Sequence, residues 1–590
     1  MIFSLKYPEI SFGISTGDIK TGGTADCIIM TNEVFLNLLF GKNEKQGELD
    51  FQMDIETELG CVVFDEIHLI NDPDRGHVLE KIIMLLPPHI QMVMLSGTLD
   101  SPLKFAKWVE SCGNGSKEVW LSCSSARIVP LTHYSYVAST ESFLKNIKDK
   151  ALQQSIRQSS NKLITLQYPG DNGINNFSEV GYKEVAKVLE VMEDQDVYLK
   201  RKFVVNNVCE FLREKEMLPA IFFVFSRKQV ETIANEIQVR VLEDDSKVPY
   251  TVARECEQIV RKFPNYKEYL ELPEYHQLVR LLECGIGIHH AGMLQVLREI
   301  VEFMLSKKYI KVLICTSTFA AGLNFAIRTV VMTNLKIFNG RTEEYLTPQD
   351  YAQMGGRAGR LGIDKVGHVV HLNNLFPIPI MSAYKTIMCG KPTKLTSKFT
   401  ISYSMVLNIL GGRFGIPTNF SKKSMIFEDL GKQSKFQQKK VNAIEMKVNE
   451  KRSYIDNSMR TSPKDCELYL EFVQTLSHSV NKKKREVEKK IAILKELNRY
   501  LEEDAKSFKQ YLEMENELRN EKWELEHIDS YIDEQTAKVQ LLLEEGGFLE
   551  KTGEEYGLTT DGKIASGINE THPLIIAKCL KKMELDGRIY

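Results

Sequence analysis

Residues 61–68 read CVVFDEIH, and this stretch decides the fold, because four apolar residues lead directly into two acids and a histidine. A short apolar run without alternation is typical of a strand that is buried on both faces of a parallel sheet. In such sheets the polar residues that follow the strands meet at the carboxyl edge. The sequence therefore predicts a central strand with Asp65, Glu66 and His68 at that edge.

Similar apolar runs recur as far as about residue 375 and predict the same kind of strand. They read ADCIIMT, IQMVMLSGT, AIFFVFSR, IKVLICTST, TVVMTN and GHVVHL. Longer helical patterns separate them, and alternation of strands with helices is the signature of parallel α/β architecture. We therefore predict an α/β protein with two parallel-sheet lobes, at 1–125 and 126–385.

The composition changes at 427–545, where Lys, Glu, Gln and Asn replace most apolar residues. The remaining apolar residues recur every seven positions, as expected for long helices that pack along a narrow seam. They are Val480, Val487, Leu494 and Leu501, then Tyr511, Leu518, Leu525, Ile532 and Val539. SPKD at 462–465 predicts a helix start, with Ser as the cap and Pro at the first helical position. This region is predicted to be a helical coiled-coil stalk, either a spacer or a binding arm.

Two flanking pieces, 386–426 and 546–590, are predicted to form one small domain that the stalk interrupts. GGFLEKTGEEYGLTTDGKIAS at 546–566 has the pattern of a strand, a turn, a second strand and a helix. This order fits the wing of a winged-helix domain, and the last residues resemble the start of a further helical domain.

Composition sets limits on the function. Of the 590 residues, 43% are hydrophobic and 26% charged, and the net charge of -3 excludes a generally basic nucleic-acid coat. The 11 cysteines form no C-x-x-C pair, which argues against a zinc site or a disulfide framework. No apolar run reaches the length of a membrane span. We expect a soluble, intracellular protein, cytoplasmic or nuclear, that does not enter a membrane.

The acids of DEIH have the chemistry of nucleotide hydrolysis. Asp65 would hold Mg²⁺ through water, and Glu66, which also lies near the metal, would orient or deprotonate the attacking water. Taken alone, an acidic pair near a histidine is a weak signal and is more often a surface turn. A second stretch, QMGGRAGR at 353–360, strengthens it. It sets Arg357 and Arg360 among small residues, where two planar guanidinium groups could reach one phosphate.

Placed in chain order, these stretches resemble a known family. GIGIHHAGMLQVL at 285–297 is followed by TSTFAAGLN at 316–324 and by LTPQDYAQMGGRAGR at 346–360. Together with DEIH, they are similar to the superfamily-two DExH-box RNA helicases, and among them to the superkiller-like branch that feeds the RNA exosome. The resemblance covers about 7–425 and resumes at about 546–580. It implies two RecA-like lobes, ATP and Mg²⁺ as cofactors, and ATP-driven unwinding or feeding of RNA for degradation.

The resemblance also implies residue roles. It implies that Asp65, Glu66 and His68 serve nucleotide and magnesium, that Ser96 and Thr98 couple hydrolysis to strand movement, and that Arg357 and Arg360 are arginine fingers beside Gln353. It adds Gly322 to the nucleotide site and assigns RNA contacts to Thr16, Gly17, Thr31, Asn32 and Thr316. The implied partners are single-stranded RNA, RNA duplex with an overhang, and an exosome-like nuclease complex.

The sequence departs from the family pattern in one major respect. No G-x-x-x-x-G-K-[ST] loop occurs in it, although this loop supplies the amides and the lysine that bind phosphates. We therefore expect a chain that is shortened at both ends, an incomplete first lobe, and weak hydrolysis by the chain alone. A smaller departure is Gly355, where Ser or Ala is usual.

Two other functions fit the same residues. A catalytically inactive RNA-binding clamp would explain the missing phosphate loop, but it would not need both the acids and the arginines. A DNA helicase of the related repair branch has similar motifs. His289 and His290 suggest metal ligands, but with no third ligand nearby a structural role is the better prediction.

Overall fold

The computed structural model describes residues 6–582 apart from 18–19, 42–52, 114, 125–126, 170–174, 243–246, 318, 320–324, 326, 339, 413, 479, 554 and 569–571. The chain divides into two compact units. The first comprises 1–96, 102–120 and 395–590, and the second 97–101 and 121–394.

The first lobe, which belongs to the first unit, contains short strands. They are β1 (Phe12–Ser15), β2 (Lys20–Thr21), β3 (Cys27–Met30), β4 (Cys61–Phe64) and β5 (Gln91–Met94). β1 pairs in parallel with β3 and antiparallel with β2, and β4 pairs in parallel with β5. The predicted strands are present, but the expected burial on both faces is wrong here: Val63 is 61% exposed and Ile29 49%.

Helices α1 (Asn32–Leu39), α2 (Gly76–Leu85) and α3 (Pro102–Cys112), with a 3-10 turn at Ile67–Asn71, accompany these strands. Two buried side chains join α2 and α3 to residues after 395. The carboxylate of Glu80 accepts hydrogen bonds from Ser397 Oγ at 2.9 Å and Met425 N at 2.8 Å. Trp108 Nε1 donates to Lys423 O at 2.9 Å. These hydrogen bonds therefore hold the base of the stalk against the first lobe.

The second unit contains an eight-stranded sheet in the order β10-β11-β9-β12-β15-β6-β7-β8. Its strands are β6 (Leu131–Tyr136), β7 (Leu163–Pro169), β8 (Asn175–Phe177), β9 (Ala220–Phe223), β10 (Ile286–His289), β11 (Val312–Cys315), β12 (Thr329–Met332) and β15 (Gly367–Leu372), with a separate hairpin of β13 (Lys336–Phe338) and β14 (Glu343–Tyr345). The strands from β10 to β6 are parallel, and β7 and β8 are antiparallel. Every residue of β9, β10, β11 and β12 is buried, as their apolar runs predict.

Eleven helices in the described part of the second unit accompany this sheet. They are α4 (Glu141–Asn146), α5 (Lys150–Ser159), α6 (Glu179–Asp194), α7 (Arg201–Glu214), α8 (Arg227–Glu236), α9 (Lys247–Val260), α10 (Tyr266–Glu271), α11 (Pro273–Glu283), α12 (Gln295–Ser306), α13 (Pro348–Gly355) and α14 (Met381–Cys389). α14 crosses the boundary predicted at 385 and lies within the second unit.

The remaining elements belong to the first unit. They are α15 (Tyr403–Gly411), α16 (Pro417–Ser421), α17 (Met425–Ser458), α18 (Pro463–Ser477), α19 (Asn481–Leu497), α20 (Leu501–Glu545), β16 (Leu549–Thr552), β17 (Glu555–Leu558), α21 (Thr560–Ser566) and α22 (Pro573–Lys582). The antiparallel hairpin β16–β17 and α21 have the predicted order, and α15 packs against β17 and α21.

The stalk is helical, with α17 packed along α20. The helix start predicted at SPKD is confirmed, because Ser462 Oγ accepts from Asp465 N at 3.2 Å and Pro463 opens α18. Asn498–Tyr500 separates α19 from α20, so the first heptad run does not lie on one continuous helix. None of the helices in the described ranges is long and apolar enough to cross a membrane.

Candidate functional site

The acids of DEIH lie where the sequence predicts, directly after β4 and beside the end of β5. Phe64 pairs with Met94 in parallel register, so the two strands end side by side. The chain after them stays joined, since Leu95 N donates to Phe64 O and Ile67 N donates to Leu95 O, both at 2.9 Å. Asp65 and Leu95 are thereby held at one carboxyl edge.

Glu66 has an unusual backbone conformation, with φ 54° and ψ 45° in the left-handed region. A non-glycine residue there is under strain of about 1–2 kcal/mol, and such residues are frequent at functional sites. The turn is held by Asp65, whose Oδ1 accepts from Glu66 N at 2.9 Å. This bend sends the chain into the 3-10 turn that contains His68.

His68 connects the two strand ends. Its ring is 5% exposed, and Nδ1 lies 3.2 Å from Glu66 Oε2 and 3.5 Å from Ser96 Oγ. The shorter distance makes the Glu66 carboxylate the main partner, and the Ser96 hydroxyl lies at the limit of a hydrogen bond. Three of the residues predicted to serve hydrolysis and coupling are therefore in contact, and Thr98 follows Ser96 by two positions.

The acids fit a magnesium ion that is bound mainly by water and phosphate. Asp65 is exposed, and ionised carboxylate oxygens are ligands that Mg²⁺ prefers. Among the described residues no group of three or more His, Cys, Asp or Glu could enclose a metal. Mg²⁺ is ordinarily bound by one or two carboxylates together with substrate phosphates, and Asp65 and Glu66 supply two adjacent carboxylates.

The residues predicted to contact RNA follow other strand ends. Thr16 and Gly17 follow β1, and Thr31 and Asn32 follow β3, where Thr31 N donates to Ser15 O at 3.3 Å. In the second unit Thr316 follows β11, and its N–H donates to His289 O at 3.2 Å. Gly322, predicted at the nucleotide site, lies outside the described residues.

The arginines of QMGGRAGR follow helix α13. Thr347 caps this helix by accepting from Asp350 N at 3.1 Å, and Pro348 opens it. Gln353 lies in its last turn, and Arg357 lies in the turn after it, half-buried. Arg357 O accepts from Ile327 N at 2.9 Å, which ties the turn to the chain before β12.

Arg360 is bound within its own loop. Its Nε donates to Asp364 Oδ2 and its Nη2 to Asp364 Oδ1, both at 2.8 Å. Hydrogen bonding with Arg360 holds the pKa of Asp364 below its usual value and raises the pKa of Arg360. The resemblance implies the same role, that of an arginine finger, for Arg357 and Arg360. In the structure Arg360 is paired with Asp364, whose side chain is 4% exposed.

A buried hydrogen-bonded chain fixes α13 on the sheet, and the sequence analysis missed it. Tyr351 Oη lies 2.5 Å from His133 Nδ1 and 2.8 Å from His371 Nε2, and His371 Nδ1 lies 2.6 Å from Tyr384 Oη. Burial lowers the pKa of both histidines, that of His133 to about 3. When both imidazole rings are neutral, each hydroxyl or ring N–H can donate one hydrogen bond along this row of four side chains. The partners are 13 to 218 residues apart in sequence, so no local pattern could reveal them.

His289 and His290 each face a carboxylate. His289 Nε2 lies 3.1 Å from Glu302 Oε1, and His290 Nε2 lies 3.4 Å from Glu231 Oε1. Burial lowers the pKa of both rings. His289 also packs edge-on against Phe319, with ring centroids 5.0 Å apart. These contacts are those of histidines within a protein core.

Comparison with known proteins points in the same direction as the geometry. Residues 11–105 match the DEAD/DEAH box helicase family, and 254–362 match the helicase conserved C-terminal domain. The chain is 29% identical over 440 residues to the antiviral helicase SKI2 of Saccharomyces cerevisiae, covering 69% of the chain and 33% of the relative. It is 30% identical over 401 residues to superkiller complex protein 2 of Mus musculus, covering 68% and 30%.

This chain is a superkiller-like member of the DExH-box helicase family. It is also 30% identical over 405 residues to the exosome RNA helicase MTR4 of Homo sapiens, covering 68% of the chain and 35% of the relative. The chain spans about a third of the length of these curated relatives. For a DExH-box protein the α/β fold with RecA-like lobes is expected, and the large parallel sheet of the second unit agrees with it.

Proposed function

We propose that this chain is the nucleotide-hydrolysing and RNA-binding part of an ATP-dependent RNA helicase that unwinds RNA or feeds it for degradation. The observation that supports this most is the arrangement after β4 and β5. Asp65 and Glu66 stand at the carboxyl edge, and His68 contacts both Glu66 and the Ser96 hydroxyl. This arrangement supports the assignment of Glu66 and Ser96 to hydrolysis and coupling, because the buried His68 ring lies between the ends of two strands.

In this proposal each of these residues has a task in hydrolysis or in its coupling to strand movement. Asp65 holds Mg²⁺ through water, and Glu66 orients or deprotonates the water that attacks the terminal phosphate. Arg357 and Arg360 stabilise the charge that develops on the transferring phosphate, with Gln353 beside them. Ser96 and Thr98 link hydrolysis to movement of the bound strand. When bound, Mg²⁺ neutralises charge on the phosphates.

The proposed substrate is single-stranded RNA or an RNA duplex with an overhang. Thr16, Thr31 and Thr316 bring hydroxyls to strand ends, and Gly17 and Asn32 bring backbone amides. Such groups suit phosphate and sugar oxygens and bind RNA without base preference. MTR4 of Homo sapiens is described as an exosome RNA helicase, and we propose a similar nuclease complex as partner here. The proposed location is the cytoplasm or the nucleus.

The test is ATP hydrolysis with and without single-stranded RNA. It is run on the chain alone and on the chain fused to a strand, phosphate loop and helix of about 60 residues. We expect slow turnover of the chain alone and RNA-stimulated turnover of the fusion, near or above about 1 per second. Stimulation must vanish in Glu66→Gln. Turnover that persists in this variant would show that DEIH does not hydrolyse the nucleotide.

A second candidate is an RNA-binding clamp that does not hydrolyse nucleotide. The clamp predicts RNA binding that is independent of nucleotide and unaffected by Glu66→Gln, with no stimulated hydrolysis in either protein. Competition between RNA and DNA oligonucleotides separates both candidates from a DNA repair helicase, which would prefer DNA.

A further inference from the structure

A guanidinium group from the start of the second unit contacts the arginine loop, which is the part of QMGGRAGR that follows α13, residues 356–360. Arg127 Nη2 donates to Gly356 O at 2.7 Å and to Ala358 O at 2.8 Å. Its Nε donates to Val129 O at 2.8 Å, which fixes the side chain against its own segment. Gly356 and Ala358 are the two neighbours of Arg357, so one nitrogen bridges the backbone on both sides of that residue.

With the Arg127 side chain in place, three consecutive backbone carbonyls, those of residues 356–358, accept hydrogen bonds. Arg127 satisfies those of Gly356 and Ala358, and Ile327 N donates to the carbonyl of Arg357 at 2.9 Å. Gly359 N then donates to Ile327 O at 2.7 Å. The backbone of Arg357 is therefore held by the chain before β12 on one side and by Arg127 on the other.

The segment of Arg127 also packs closely on the loop. Gly359 has φ +88°, and a Cβ placed there would lie 2.6 Å from Val129 Cγ1. After α13 ends at Gly355, the loop contains Gly356 and Gly359, and glycine loses more backbone freedom on ordering than any other residue. A loop of this composition needs fixed contacts to hold one conformation, and Arg127 and Val129 supply them.

Arginine is suited to this task for a geometric reason. Its planar group has five N–H donors in a fixed fork, and the two on Nη2 point along different directions. A lysine has a rotating ammonium and loses more freedom for each bond it forms. Catalytic groups must be held within about 0.5 Å of their productive position. A rigid bridge across Arg357 meets this requirement.

We propose that Arg127 is a positioning residue, which holds the backbone of Arg357 so that this guanidinium reaches the transferring phosphate. The inference rests on the proposed function, because it assigns Arg357 to the transition state. Arg127 acts through Arg357 and touches no substrate. Its loss should therefore lower kcat and leave the KM for ATP nearly unchanged.

The first measurement is amide hydrogen exchange of 353–362 in the chain itself. The variants are Arg127→Met, which keeps most of the side-chain length, and Arg213→Met as matched control. Arg213 Nη1 donates to Arg240 O at 3.0 Å, so the control removes a guanidinium–carbonyl bond elsewhere in the same unit. We expect exchange in the loop to rise about tenfold in Arg127→Met only. Unchanged exchange would overturn the inference.

The second measurement is RNA-stimulated hydrolysis by the fusion protein. Arg127→Met should lower kcat about tenfold or more, with the KM for ATP within about twofold. The double variant Arg127→Met, Arg357→Ala should be no slower than Arg357→Ala alone, because a residue that acts only through Arg357 has nothing further to lose. Additive losses, or an unchanged kcat despite faster exchange, would reduce Arg127 to a structural role and overturn the inference.

These outcomes separate the inference from the proposed function. Wild-type fusion protein without RNA-stimulated hydrolysis would overturn the proposed function, and with it the catalytic part of the inference. An active wild type that loses activity in Arg357→Ala but not in Arg127→Met would overturn the inference alone.

Discussion

Arg360 and Asp364 form a closed pair in which both carboxylate oxygens accept from the guanidinium at 2.8 Å and Oδ2 also accepts from Arg360 N at 2.9 Å. Arg328 Nε lies 3.7 Å from the same carboxylate. Because the Asp364 side chain is 4% exposed, this carboxylate depends on its partners for solvation. Arg360 therefore has a structural task in addition to any role at the phosphate.

We expect Asp364→Asn to lower the free energy of unfolding by about 2 kcal/mol at pH 7. Arg360 holds the pKa of Asp364 below its usual 3.8, so the pair stabilises the fold above that pH and loses this contribution as pH falls through the folded pKa. Denaturant unfolding of both proteins between pH 3 and 7 checks this. The difference between them should shrink below about pH 4. A constant difference would contradict the ionic pairing.

The two arginines of the loop should behave differently when removed. Arg357→Ala should lower RNA-stimulated turnover about 1,000-fold, to a rate that is still measurable, with little change in melting temperature, because a finger acts in the transition state. Arg360→Ala should also lower the melting temperature, by several degrees, because buried Asp364 loses its partner. Turnover and melting curves of both variants make the comparison. Equal melting temperatures would show that the pair contributes nothing to stability.

Glu66→Gln should remove the base and leave binding intact. The amide has nearly the same shape, so nucleotide and RNA affinities should stay within about threefold while turnover falls by about 100-fold or more. Fluorescence titrations with labelled nucleotide and labelled RNA, beside the hydrolysis assay, check both parts. A parallel loss of nucleotide binding would instead assign Glu66 to holding the metal.

Ser96→Ala should separate hydrolysis from strand movement. The Ser96 hydroxyl lies 3.5 Å from His68 Nδ1, whereas the Glu66 carboxylate is closer at 3.2 Å and keeps its contact in the variant. We expect hydrolysis within about threefold of wild type and unwinding of an overhang duplex at least about tenfold slower. Equal losses of both activities would show that Ser96 supports the site itself.

Alanine substitutions at Gly355 and Gly359 should change the stability of the protein in opposite directions. At Gly355 a Cβ would meet Val369 Cγ2 at 3.6 Å, an ordinary contact, so Gly355→Ala should stabilise by about 0.5–1 kcal/mol. Gly359 has φ +88° and a Cβ there would lie 2.6 Å from Val129 Cγ1, so Gly359→Ala should destabilise by about 2 kcal/mol or more. Thermal unfolding of both variants shows whether each substitution raises or lowers the stability. Destabilisation by Gly355→Ala would contradict the space that the structure shows at this position.

The sequence predicted those parts of the site that local patterns determine. The apolar run before Asp65 and Glu66 predicted β4 and the carboxyl edge, and SPKD predicted the start of α18 at Pro463. In each case the signal lies within a few residues, and neighbouring side chains decide the local conformation.

Partnerships between distant residues could not be predicted in this way. Arg127 lies 229 residues before Gly356, and nothing around it resembles a motif. The Arg360–Asp364 pair is an exception, since an arginine and an acid four positions apart are a recognisable signal of an ion pair. The apolar runs also failed to predict the exposed faces of β3 and β4, because an apolar run does not reveal which faces of a strand are covered by other elements.

The base of the stalk has a mechanical consequence. Glu80 on α2 accepts from the N–H of Met425, the first residue of a 34-residue helix. A straight helix of that length is about 50 Å long. A tilt of about 5° at its base would displace Ser458 by about 4 Å, about three quarters of a helical turn. Small movements of α2, which begins a few residues after the DEIH turn, would thus be amplified along a lever arm.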